Sequence, residues 1–500
     1  MRIQFLRRIQ IPIQIIVICV VGLLLGIISA WAPPFLIIAA IAGVAYVAIV
    51  WAWPEIAVLI LLGFTSTIFD VNTLQSVPIG IGHLIATDFL VFIPLGIMLL
   101  RIWVEPGYKF IHTPLDLPLL AFYGIALLST FLAIYQGKFT FNQSLGELRA
   151  INFYLVFFIV TNSIRDEKQL RRLLNGVFIL AVLVAVAMII QYALGDSAVI
   201  LPGRVETLAT AATTSPGVTR ILPPGQSLVL VVLIALPILL IFDRAQSKFP
   251  TRVLQLLIVS AAVLLTFNRS FWVALALALF LAVLLVSVQE KVRFIKVAVW
   301  AGLIGIVALV PVLLLLGNRT QNLIDGSIIR MSTLVNPNTV NEGSLRDRYV
   351  ENGYAYTQIL AHPLIGLGLG ANYRTWDHRI DFTAITTWDR FAYIHDGHLW
   401  VMLKTGLLGY FFYIWMLLRF LRRGFQSWQR NPPPYFKGII FSFVVTVIGL
   451  LPATIVNPFF STPYWTAVIG VMLGISEVII RLFPGRALNV STIETENSPI

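Results

Sequence analysis

The stretch YIHDGHLWVMLKTGLLGYFFYI, residues 393–414, sets two histidines and a carboxylate, His395, Asp396 and His398, at the lip of an apolar run. Three chemistries suit that grouping. Imidazoles beside a carboxylate could ligate a metal, although HExxH spacing is absent and the sequence pins no third or fourth ligand. A histidine could instead be structural, bonded to a loop carbonyl. Or, with an unperturbed pKa near about 6.5, it could take a proton from a hydroxyl at neutral pH. Gly406 and Gly409 follow inside the run, where a missing side chain lets a helix or lipid chain approach closely.

Cations are the second notable group. Arg269, in LLTFNRSFWVAL, sits in a short break between two apolar runs. A lone guanidinium at a helix centre costs about 2.5–3.5 kcal/mol, less towards the interface. Arg269 therefore either snorkels to headgroups or is a fixed cation for an anion at the membrane surface, such as a polyprenyl diphosphate or a phospholipid headgroup. Residues 318–396 add Arg319, Arg330, Arg346, Arg348, Arg374, Arg379 and Arg390, with no lysine. The planar fork of arginine grips phosphate or carboxylate with two parallel bonds, so the pattern favours a shared anionic ligand over solvated decoration. No Asp-x-Asp pair falls on an expected outer loop; TIFDVN around Asp70 and DHRID around Asp377 do not supply one. Guanidinium rather than a divalent ion would then neutralise a leaving group, and neither a metal nor another cofactor is expected. GLGLG at 366–370 lacks the preceding strand and the spacing of a dinucleotide fingerprint, and is expected to turn the loop back over the bundle.

These residues need a frame to hold them, and the composition defines it. The chain has 500 residues, of which 58% are hydrophobic and 12% charged, whereas soluble domains average about 25% charged. Continuous apolar runs recur near 12–31, 34–53, 55–69, 83–103, 115–135, 149–164, 174–194, 226–242, 252–267, 270–288, 295–317, 398–420, 437–456 and 464–482. Runs of that length that do not alternate indicate spanning helices rather than a barrel. The fold class is thus an all-α polytopic membrane protein, a bundle of about 12–14 transmembrane helices. The N-terminal apolar stretch is too long for a signal peptide and reads as a retained first span. Cys19 is the one cysteine, so no disulfide forms within a monomer.

Charge orients the bundle. RIWVEPGYK, RDEKQLRR, DRAQSKFPTR, EKVRFIK and RFLRRGFQSWQRNPPPYFK fall on alternate loops, which places them, and both termini, in the cytoplasm. The net charge of +12 is spread over these loops, so no basic domain exists to grip a nucleic acid. Two long loops face outwards, near 195–225 and 318–396. The expected organisation is an N-terminal bundle of about 11 helices (1–317), a large outer loop with short helices (318–397), a C-terminal set of about three helices (398–482) and a polar tail (483–500).

Taken together, these residues resemble the O-antigen ligase/polymerase superfamily of bacterial membrane glycosyltransferases. The superfamily pattern His-[Asn/Ser/Gln]-x9-Gly-x-x-Gly corresponds to His395-Asp396, nine residues, then Gly406-Leu407-Leu408-Gly409. Its Arg-x3-Trp followed by an HPL-x-G-x-G-like turn is similar to Arg348 through AHPLIGLGLG, with Asn352 in place of Trp. Its Thr-x-Ser-Arg break resembles TFNRS around Arg269. The likeness runs from about residue 145 to 455.

The resemblance implies a bundle of the membrane glycosyltransferase C type with a periplasmic catalytic loop, in the bacterial inner membrane. It implies metal-independent, inverting transfer of a glycan from undecaprenyl diphosphate to an acceptor hydroxyl, on lipid A core or another saccharide chain. His395 would be the general base, and Arg269 and Arg348 would bind the departing diphosphate. Arg220, in TRILPPG, is a further candidate for that diphosphate site, and Arg346 is the register alternative to Arg348. Asp396, where the superfamily has an amide or hydroxyl, would raise the pKa of the base or orient its ring, and His398 joins it as a substrate-binding candidate. The expected partners are the polyprenyl-diphosphate donor, the glycan or lipid A core acceptor, the bilayer and polysaccharide assembly proteins. Two rival readings use the same arginines without a base: a flippase for an anionic lipid-linked saccharide, and a non-catalytic member of an export complex.

Overall fold

In the computed structural model, residues 34–484 are described apart from 70, 72–75, 79–81, 196–197, 202–204, 211–212, 244–247, 317–318, 336–342 and 381–389. The expected first span at 12–31 and nearly all of the polar tail lie outside the described residues. The chain opens with α1 (Pro34–Ala52) and α2 (Pro54–Thr65), then a hairpin of β1 (Ser76–Pro78) and β2 (His83–Ile85). Helices α3 (Ala86–Val104), α4 (Asp116–Tyr135), α5 (Phe141–Asn152), α6 (Val156–Ser163) and α7 (Glu167–Leu194) follow. A second hairpin, β3 (Val205–Thr210) and β4 (Thr213–Ile221), leads into α8 (Gln226–Phe242), α9 (Phe249–Leu265), α10 (Arg269–Leu285) and α11 (Val288–Leu316). Next come α12 (Arg319–Val335) and α13 (Gly343–Ala361), and then α14 (Gly397–Gln429), α15 (Pro434–Ala453) and α16 (Pro463–Leu482).

This is an all-α polytopic membrane protein. Among the described residues, seven helical stretches are long and apolar enough to cross a membrane, with α5 and α6 joined as one. Shorter apolar helices, α8, α9 and α10 among them, supplement these. All 17 residues of α8 are buried. A helix apolar on every side can face either lipid or other helices; α8 is enclosed by helices, packing against α7, α9, α10, α11 and α15.

The long loop near 195–225 contains more structure than its composition predicted. β3 and β4 pair antiparallel, with Val205 opposite Ile221 and Glu206 opposite Arg220. Between 318 and 397, α12 and α13 occupy much of the second long loop.

Hydrogen bonds gather several helix ends at one pole of the bundle. Gly225 N at the start of α8 donates to Thr67 O after α2 (2.6 Å). The Ser227 and Ser66 hydroxyls both donate to Tyr464 O at the start of α16, each at 3.1 Å. Gly397 N at the start of α14 donates to Thr454 O after α15 (2.9 Å). Asn457 bonds Ser270, the second residue of α10. The basic loops meet at the opposite pole. Arg423 of α14 makes a two-pronged pair with Glu477 of α16, 2.7 Å on each side. Arg165 donates to Lys109 O (3.2 Å), and Arg171, Lys248 and Arg252 surround the Tyr435 ring. Four of the five basic segments read from sequence are therefore neighbours in space.

Gly406 has a specific role. α14 kinks there, with φ at 68°, a backbone shape that strongly favours glycine. The kink frees backbone groups that the 363–368 segment satisfies: Leu367 N donates to Leu403 O (2.9 Å), Gly368 N to Lys404 O (3.0 Å) and Leu407 N to Pro363 O (2.8 Å). A Cβ on Gly406 would land on the carbonyl of Leu364. The expectation that Gly406 admits a neighbour therefore holds, but the neighbour is this strap rather than a helix or lipid chain. Gly406→Ala should cost at least about 1–3 kcal/mol, measured as a lowered thermal unfolding midpoint in detergent. Gly124→Ala, in α4 with open space around it, should leave that midpoint unchanged or slightly higher.

Candidate active site

The site forms where α13 meets the segment leading into α14. Arg348 and Glu351 lie one turn apart on α13, on the face that also buries Ala355 and Ile359. After α13, Pro363 and Gly366 turn the chain into the strap. Buried Lys404 anchors it, donating to Ala371 O (2.7 Å) and pairing with Glu147 of α5 (3.1 Å). Glu147 also accepts from Gly370 N and from Trp400 Nε1. The chain then returns beside itself: Tyr373 N donates to Phe391 O (3.1 Å), Arg374 to Arg390 O (2.8 Å) and the Tyr373 hydroxyl to Tyr393 O (3.1 Å). That pairing delivers His395 to α13.

Glu351 is fully buried and bonds two partners. Its Oε1 accepts from Arg374 Nη1 and pairs with it at 2.7 Å, both side chains being 0% exposed. Its Oε2 meets His395 Nδ1 at 2.8 Å and accepts from His395 N at 3.2 Å. Burial pushes the Glu351 pKa up, but the bond and charge of His395 and the pairing with Arg374 outweigh it, leaving the carboxyl below its ordinary value. An ionised carboxylate can only accept, so His395 Nδ1 carries the proton and Nε2 is the basic nitrogen. The imidazole is 26% exposed, so it can meet a ligand. The ring of Tyr393 packs edge-on against it, centroids 4.9 Å apart.

Arg348 lies one turn from Glu351, and two further arginines act on it electrostatically. Burial, first, lowers the Arg348 pKa; Tyr393 and Glu351 act to raise it, and the positive charges of Arg269 and Arg220 push it further down. Arg220 and Arg269 are thus each within electrostatic reach of Arg348, although the three come from β4, the first turn of α10 and α13. The buried Nε of Arg348 has no hydrogen-bond partner among the described residues. Like charges held together at a partly buried site repel one another, and an anion relieves that repulsion.

The remaining expected site residues have different positions. Arg346 is exposed on α13, two residues from Arg348 and so on a different face of the helix. Asp396 is buried and caps α14, accepting from His398 N (2.8 Å) and Leu399 N (3.0 Å); its carboxylate serves the helix terminus. Both ring nitrogens of His398 are engaged inside the fold, Nε2 with Leu451 O (2.9 Å) and Nδ1 with the Tyr410 hydroxyl (3.2 Å). It takes the structural role weighed for these histidines. Nor do the loop arginines act as one set: Arg374 serves Glu351, and Arg379 pairs with Asp377 (2.7 Å). The side chains of Arg319 and Arg330 lie outside the described residues. Among the described residues, no group of three or more His, Cys, Asp or Glu is placed to hold a metal ion.

The sequence reading did not single out Glu351. Its signal was the Arg348-x-x-Glu351 spacing on a predicted helix, which puts a carboxylate one turn from a site cation.

A multi-pass helical membrane protein with an imidazole–carboxylate pair beside clustered arginines at one pole is the class these features define. The family model for O-Antigen ligase matches residues 254–414. The match runs from within α9 to within α14 and contains Arg269, Arg348, Glu351, Arg374 and His395, with Arg220 outside it. Over that stretch, about a third of the chain, the sequence is similar to this family, in line with the resemblance carried by the motifs around Arg269, Arg348 and His395. No curated protein matches the chain.

Acid should unfold the protein partly through Glu351. Because its folded pKa is depressed, the unfolded chain binds the proton more readily, so the stabilisation is present above the ordinary carboxylate pKa and is lost as pH falls through the folded value. Glu351→Gln should lower the unfolding midpoint at neutral pH, because it leaves Arg374 an uncompensated buried charge, at a cost of about 3–5 kcal/mol. The same substitution should flatten the fall in midpoint below about pH 4.5, read from a pH series of thermal melts.

Proposed function

We propose that this chain transfers a glycan from undecaprenyl diphosphate to a sugar hydroxyl at the periplasmic face of the bacterial inner membrane. The acceptor is lipid A core or another lipid-linked saccharide. The observation that carries this reading is His395 bonded to Glu351, one turn of α13 from Arg348, with Arg269 and Arg220 within electrostatic reach of that guanidinium. In the proposed reaction the acceptor oxygen bonds to the anomeric carbon from one side. His395 Nε2 takes the hydroxyl proton, and the bond from the anomeric carbon to the diphosphate oxygen breaks on the other side. This displacement inverts the anomeric centre. The arginines neutralise the diphosphate as its charge develops, which makes them more useful in the transition state than in the ground state.

Glu351 fixes the tautomer and stabilises the imidazolium that forms, with Arg374 holding the carboxylate in place. The polyprenyl chain lies in the bilayer beside the helices, and residues 318–397 form the periplasmic catalytic loop between the two sets of spans. The basic pole faces the cytoplasm, as the positive-inside rule directs, and both termini lie there. A flippase would need the cations but has no use for an imidazole poised by a buried carboxylate.

The test is turnover of a reconstituted protein with a polyprenyl-diphosphate glycan and a saccharide acceptor. His395→Ala, Arg269→Ala and Arg348→Ala should each lower kcat by about 10²–10³, with donor binding surviving better in the histidine variant. EDTA should leave the wild-type rate unchanged. Full activity in His395→Ala would remove it as the base, and chelator-sensitive activity restored by a divalent ion would overturn the metal-free mechanism.

A further inference from the structure

On the far side of Arg374 a cleft of about 620 Å³ opens between α13 and the segment 372–376. Tyr354, Gln358, Asn372, Arg374, Trp376 and Phe391 line it. Trp376 is 68% exposed, a large indole left in water at the rim. Aromatic rings beside amides suit a pyranose: its C–H faces stack on aromatic rings, and its hydroxyls need both donors and acceptors. An acyl chain would have no partner for Gln358 or Asn372.

The position of the cleft identifies the sugar. Arg348, Glu351, Tyr354 and Gln358 follow one another at steps of three, three and four, so they form one slowly turning stripe along α13. At a rise of 1.5 Å per residue the stripe runs about 15 Å. Its order is phosphate-binding cation, carboxylate holding the base, then cleft. An inverting displacement needs the acceptor and the leaving diphosphate on opposite sides of the anomeric carbon. The geometry points to this cleft as the subsite for a sugar ring of the acceptor glycan, the ring stacking on Trp376 and its neighbours while the acceptor hydroxyl reaches back to His395. This assignment rests on the transferase reading; Arg374 is a positioning residue that touches both the cleft and Glu351.

Saturation-transfer NMR on the full-length protein in nanodiscs tests binding without relying on turnover. The probe is an oligosaccharide freed by mild acid from the surface polysaccharide of the same cells. Transfer to its ring protons should be clear in the wild type, weakened about tenfold in affinity by Trp376→Ala and largely kept in Trp376→Phe. In the turnover assay Trp376→Ala should raise the acceptor KM about tenfold, leaving the donor KM unchanged. No saturation transfer in the wild type, or transfer indifferent to Trp376→Ala, would overturn the subsite. A raised donor KM with an unchanged acceptor KM would overturn the acceptor assignment. Saccharide bound at the cleft by a protein that turns over no donor would uphold the cleft and sink the transferase reading.

Discussion

A carboxylate removed from water must be neutralised by its surroundings or give up its charge, because its desolvation costs several kcal/mol. Glu351 meets that condition with two cationic or cationisable partners, Arg374 at 2.7 Å and His395 at 2.8 Å. Each partner is tied to a different part of the loop, so satisfying one buried charge also fixes where the loop lies. The same bond sets which nitrogen of His395 is basic. Stability and the acid–base property of the site thus share one interaction, and the arginines beside it can be held close because α13 supplies both Arg348 and the carboxylate.

A second buried charge holds this assembly on the bundle. Lys404 lies within a spanning helix, where an unpaired ammonium is costly. It is satisfied by Glu147 and by Ala371 O in the strap. The glycine-rich turn and the kink of α14, separated by some forty residues of sequence, therefore close on each other through both backbone pairing and an ion pair. Two of the motifs that carry the family resemblance are one physical joint. The third, around Arg269, is fastened to the same pole through Ser270 and Asn457.

Much of this was legible in the sequence. Apolar runs placed most helices within a few residues, since only a helix can satisfy its backbone in hydrocarbon without partners. The spacing of basic loops placed four of them at one pole. The candidate residues His395, Arg269, Arg348 and Arg220 were read from motifs and from the cost of arginine near a membrane; His395 is bonded to Glu351, one turn from Arg348, and Arg269 and Arg220 come within electrostatic reach of Arg348. Less visible were contacts between polar residues distant in the chain. Glu351 sat among other polar residues of a surface-like helix, and nothing local marks it as buried. Asp396 and His398 look like their catalytic neighbour in sequence, but one caps a helix and the other is bonded at both nitrogens. The β3–β4 hairpin was missed because β4 carries Pro216 and Gly217, residues that read as a turn rather than as a strand interior.

The account depends on an anion bridging the three arginines next to His395. An electron cryo-microscopy map of the protein in a nanodisc with an intact polyprenyl-diphosphate glycan would examine that directly. It should show diphosphate density touching Arg220, Arg269 and Arg348, with the anomeric carbon on the side of His395 Nε2. Diphosphate bound at the opposite pole, among Arg171, Arg252 and Lys248, or held by the arginines with the sugar turned away from His395, would contradict it.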